Sequence, residues 1–140
     1  IAEYIPENET FDNWTFMFAT RFVPNKNANP QVTAENTAKN VAARKQNGDA
    51  LANSLILESP DKDSVIVDFL ASDKSFVEHN FWRYFKTENG LVSFQIARRV
   101  YPSSAGQEKT ASFIANIPVL RPKFLNEIMR EELPVTSFAQ

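Results

Sequence analysis

Residues 76–101, FVEHNFWRYFKTENGLVSFQIARRVY, decide the fold. Two strand-like runs, about 76–87 and 91–101, flank Asn89-Gly90. Asn-Gly between alternating apolar residues is the strongest short-range hairpin signal, because a type I′ turn needs positive φ at both central positions. A two-residue loop there would pair Phe85 with Phe94, Thr87 with Val92, Arg83 with Ile96 and Phe81 with Arg98. The opposite face would carry Trp82 with Ala97, Tyr84 with Gln95 and Asn80 with Arg99.

Upstream lie two more strand-like segments, 53–58 (NSLILE) and 64–70 (SVIVDFL), around Pro60-Asp61-Lys62-Asp63. A three-residue loop at 61–63 would set Leu57 against Val67 and Leu55 against Phe69, apolar beside apolar. A helix is expected before them. Thr33 is its candidate N-cap, Glu35 lies in its first turn, and Ala34, Ala38, Val41 and Ala42 form its apolar face. Gly48 is placed to close it. Earlier still, WTFMFATRFV (14–23) reads as a strand with Trp14, Phe16, Phe18 and Phe22 on one parity. Tyr4 and Ile5 suit a short edge strand.

Downstream, 102–106 reads as a loop, followed by a helix over about 107–116 with Ala111, Ile114 and Ala115 inward. Pro122 is then the expected first residue of a helix over 122–132, with Phe124, Leu125, Ile128 and Met129 as its stripe. Leu133-Pro134 ends that helix, and 135–140 is a tail.

The order β-α-β-β-β-β-α predicts an α+β fold. Its antiparallel sheet has five to six strands, packed with an Ala-rich helix and a C-terminal helical segment, on one face or on both. Residues 1–140 read as a single domain, since the loops are too short to be linkers. A helix followed by four strands resembles cystatin-like layouts. With the leading strand and closing helix added, the order resembles the photosystem PsbP/Mog1-like domains. Both resemblances are of element order and imply no function.

Composition narrows the chemistry. The chain has 140 residues, net charge −2, 12 Phe, only 3 Gly and no Cys. A chain of this length buries roughly 68% of its unfolded surface and needs no covalent staple. Without Cys there is no thiol nucleophile, thiolate zinc site or iron–sulfur cluster. With few Gly there is no GxGxxG, Walker-type or GxSxG motif, and no cofactor is expected. A pI near 5.5 argues against nucleic acid, despite the basic–aromatic runs WRYFK and ARRVY. No apolar run approaches the ~20 residues of a transmembrane helix.

Two sequons, Asn8-Glu9-Thr10 and Asn13-Trp14-Thr15, and a start at Ile1 make export the favoured expectation over a cytoplasmic location.

Four groups of side chains are candidates for function. Trp82, Tyr84, Arg99 and Asn80 share one strand face, and aromatics among polar neighbours are what binding surfaces look like. A covering helix is the simpler reading of the same face. Glu78, His79, Arg83 and Arg98 could form a dispersed enzyme site, with His79, the only histidine, as acid–base. The simpler reading there is a buried His and arginines at a core rim. Asp61, Asp63 and Asp68 could meet a hard cation, yet no Gly bend or closing Glu follows, so a solvated turn is preferred and no metal site is expected. The reading that results is a non-enzymatic binding or accessory domain, exported, that docks a protein or small-molecule ligand on the sheet. Pairing of two copies through an exposed edge strand is compatible with it.

Overall fold

The computed structural model describes residues 1–59 and 63–130. The elements in order are β1 (Ala2–Tyr4), β2 (Phe16–Val23), α1 (Pro30–Gln46), β3 (Asn53–Glu58), β4 (Ser64–Ser72), β5 (Val77–Thr87), β6 (Gly90–Val100), α2 (Pro102–Ala115) and α3 (Ile117–Arg130). The strands form one antiparallel sheet in the order β1-β2-β6-β5-β4-β3. The α+β class and the element order match the expectation. Helices cover both faces. On one, α1 lies across β3, β4 and β5; on the other, α2 and α3 lie against β5 and β6.

The central hairpin forms, but two residues out of the expected register. Thr87 pairs with Gly90, so Phe85 meets Val92, Arg83 meets Phe94 and Phe81 meets Ile96. Glu88 and Asn89 are the loop residues, and Gly90 already belongs to β6. The reason is space. A Cβ on Gly90 would collide with the Val23 carbonyl oxygen, and it would lie 3.1 Å from Asn25 N and from the Phe22 ring. Gly90 therefore serves close approach to the end of β2, not the positive φ of a turn. An even shift keeps every side chain on its predicted face.

The β3–β4 pair is one residue out of the expected register: Ile56 faces Val67, Leu57 faces Ile66 and Leu55 faces Asp68. The shift sets Asp68 opposite Leu55 instead of giving Leu55 an apolar partner. Residues 60–62 of the intervening turn lie outside the described residues, as do Leu133-Pro134 and the tail.

Helix α1 starts earlier than expected. Asn29 is the N-cap, accepting from Val32 N at 3.1 Å, and Pro30 is the first helical residue. Asn-Pro meets both needs of a helix start, a side-chain acceptor and a preset φ, so it prevails over Thr33. Glu35 consequently falls beyond the first turn. Ala34 and Val41 are buried and Ala42 is exposed. Trp14 precedes the β2 start, so strand parity does not reach it. It packs with Met17, Ala19 and Ala97, away from Phe16 and Phe18.

At the C-terminal side, 102–105 are helical and Gly106 (φ 86°, ψ 169°) breaks α2. Beyond it, Phe113 is buried while Ala111 and Ala115 are exposed. The helix turns its larger apolar side chains inward, which removes more surface from water than the alanines would. Pro122 sits inside α3, which begins at Ile117, with Phe124 and Ile128 buried as expected. These two complete a core with Ile66, Phe81, Phe85, Val92, Phe94 and Ile96.

Gly90→Ala is expected to cost about 3 kcal/mol, as overpacking against fixed backbone does. Urea unfolding reads this directly; an unchanged midpoint would mean that β2 and β6 do not approach as described.

Candidate functional site

Alternation in β5 sends Glu78, Asn80, Trp82 and Tyr84 to the α1 face. Across the sheet they stand beside Arg99, Ala97, Gln95 and Ser93 of β6. One chain of hydrogen bonds joins them. Arg99 Nε donates to Glu78 Oε1 (2.8 Å), and Asn80 Nδ2 donates to Glu78 Oε2 (2.9 Å). Asn80 Oδ1 accepts from both Gln95 Nε2 (2.8 Å) and the Trp82 indole N–H (3.2 Å). Asn80 is fully buried, and this bonding offsets its burial.

The aromatic members are fixed as firmly. Trp82 meets the rings of Phe69 (5.5 Å) and Tyr84 (6.0 Å) edge-on, with the Arg21 guanidinium 5.8 Å from its centroid. Arg99 lies against Trp14 (4.1 Å) and Phe76 (3.6 Å). Tyr84 is buried beneath α1, its hydroxyl 2.8 Å from Thr37 Oγ1. Burial pushes that hydroxyl up to about 12, against a smaller opposing pull from Thr37 and Arg21.

The structure thus brings Trp82, Tyr84, Arg99 and Asn80 together. Trp82 and Arg99 remain partly exposed, while Tyr84 and Asn80 support them from below. Arg21, exposed beside Trp82, was not legible as part of this group, because the pairing of β2 with β6 is non-local.

The other face holds a second polar group. Asp68 is buried between His79, whose Nε2 is 2.7 Å from Asp68 Oδ1, and Arg121, whose Nε donates to Asp68 Oδ2. Among the described residues the His79 Nδ1 is buried without a hydrogen-bond partner. A cavity of about 190 Å³ adjoins the three side chains.

Of the dispersed set Glu78, His79, Arg83 and Arg98, Glu78 is on the opposite face from the rest. Arg83 is engaged elsewhere, donating to Ser64 Oγ (2.9 Å) and to the Ile128 carbonyl (3.3 Å). Arg98 stacks on Phe113 (4.7 Å), and burial lowers its pKa. No shared site forms from the four. Arg121 was missed because its partner lies 53 residues away. Among the described residues no group of three or more His, Asp or Glu could hold a metal ion, and no helix is long and apolar enough to cross a membrane.

A protein-family model that names no activity matches residues 1–133. No curated protein and no solved structure matches the chain.

Tyr84 links this face to stability. An unfolded Tyr ionises near its ordinary value of about 10. The folded value is raised, so neutral Tyr84 adds stability that is complete below pH 10 and lost as pH rises toward about 12. Stability of the wild type should therefore fall over that window, and Tyr84→Phe should flatten the fall. Chemical unfolding at successive pH values checks it; identical profiles would refute the assignment.

Proposed function

This chain belongs to that family, and from its geometry we propose that it is a non-enzymatic binding or accessory domain that docks a protein partner on the sheet beside α1. The observation that carries the reading is Trp82. It is partly exposed, yet its indole N–H is held by Asn80 and its ring by Phe69 and Tyr84. An anchor already fixed in one rotamer loses little entropy on binding. Trp and Arg dominate the energetics of protein interfaces, and here Arg21 and Arg99 stand on the same face.

Arg21 is exposed, so the partner segment that fits is apolar with an acidic residue beside it. A protein suits this surface, because Arg21, Gln95 and Trp82 lie side by side on three adjacent strands. An exported location fits the exposure of Asn8 and Asn13, the acceptor positions of the two sequons.

A photo-crosslinker placed at Gln95 should trap one defined adduct in the cells that make the protein. Trp82→Ala, still folded by circular dichroism, should lose it, since truncating such an anchor costs about 2 kcal/mol or more, at least thirtyfold in affinity. An adduct of twice the chain mass would make the partner a second copy. Full crosslinking by folded Trp82→Ala would refute the site.

A further inference from the structure

We propose that the cavity between the β3–β4 edge and the α2–α3 corner binds a short-chain monocarboxylate. It is separate from the Trp82 surface, on the other side of the sheet, and does not rest on that reading.

Size comes first. A cavity of about 190 Å³ has the room of about six liquid waters, and it falls below the roughly 300–1,000 Å³ of pockets for drug-sized ligands. Its occupant is therefore small.

Charge comes second. Asp68 is 4% exposed, with one carboxylate oxygen on His79 and the other on Arg121. Both of its oxygens are thus engaged, and the Arg121 guanidinium beside it repels a cationic ligand. Arg121 is different. Its side chain is 30% exposed, and among the described residues only its Nε is engaged, on Asp68. Asp68 fixes the plane of the guanidinium, and the terminal nitrogens remain as a fork of donors. Such a fork matches the two oxygens of a carboxylate. Because Asp68 already offsets Arg121, a monoanion leaves a smaller unbalanced charge than a dianion.

The walls supply the third constraint. Leu55 and Leu70 from the sheet, and Ile114, Ile117 and Pro118 from the helices, form the apolar part of the lining, with Asn53 and Ser54 beside Leu55 on β3. A ligand that uses both parts carries a short hydrocarbon chain behind its carboxylate. Inorganic anions would leave the apolar walls unused. Leu55 is 46% exposed on an edge strand and stands at the rim, so the cavity has an entry that needs no movement of the core.

Hexanoate titrated into the intact chain, followed by methyl NMR, tests this. The Leu55, Leu70, Ile114 and Ile117 methyls should shift saturably, while those of Val67 and Leu91 beneath α1 stay put. Hexanoate should bind at least tenfold tighter than hexan-1-ol or inorganic phosphate. Arg121→Gln should weaken it at least tenfold. Should that variant unfold for want of a partner on Asp68, Leu55→Trp gives the second reading: it fills the rim, leaves the Asp68 group intact and should cause the same loss. Equal binding of hexan-1-ol or phosphate, shifts confined to other methyls, or undiminished hexanoate binding by folded Leu55→Trp would each overturn the site.

Discussion

Strand β5 is covered on both faces, and the rest of the molecule answers to that. A polar side chain buried on a strand so placed needs a partner inside. His79 and Asn80 are neighbours in sequence and both are almost completely buried, pointing opposite ways. Asn80 is satisfied by Glu78, Gln95 and Trp82, and the Nε2 of His79 by Asp68. These bonds also specify register. A one-residue slip of β5 would turn His79 and Arg83 under α1, where neither Asp68 nor Ser64 could meet them. The apolar residues of β5 alone would resist the slip less strongly, because Phe and Tyr or Trp occupy both faces.

The two covers are matched to what lies beneath them. Helix α1 presents Ala34, with no exposed surface, and so comes close enough for Thr37 to reach the Tyr84 hydroxyl. On the other face the sheet offers Phe81, Phe85 and Phe94, and α3 answers with Phe124 and Ile128. Two arginines run along aromatic faces within that layer, Arg83 on Phe85 and Arg98 on Phe113.

Local signals carried much of this into the sequence. The alternation in 76–101 placed every β5 and β6 side chain on its true face, and the small-residue stripe of α1 marked a helix that approaches a sheet. What local signals could not carry was register and distant pairing. Asn89-Gly90 has the composition of a type I′ turn, yet Gly90 is there for the Val23 carbonyl, a contact made by a strand 67 positions away in the chain. Arg21 reaches Trp82 through the same non-local pairing. Arg121 reaches Asp68 across the α2–α3 corner, and nothing in the spacing of either residue announces it. The Trp82 group was visible because its members lie on two adjacent strands joined by a short loop; the Asp68 group was not, because it is assembled from a sheet and a helix.

The exposed part of Trp82 follows from where coverage stops. Helix α1 lies across β3, β4 and β5, while Ile5 and Trp14 pack over Met17, Ala19 and Ala97 on the same face. Between these two covers lie the partly exposed side chains of Gln95 and Trp82, on two adjacent strands. Neither cover can widen without cost. Moving α1 toward β6 would break the Thr37–Tyr84 bond, and moving Trp14 would strip one aromatic face from Arg99. The strip is thus an opening held at fixed width by its own borders, with a rigid aromatic at its edge and an arginine above it. Its polar floor is already satisfied within the chain, so a partner would be needed to cover apolar surface and not to complete unmade hydrogen bonds.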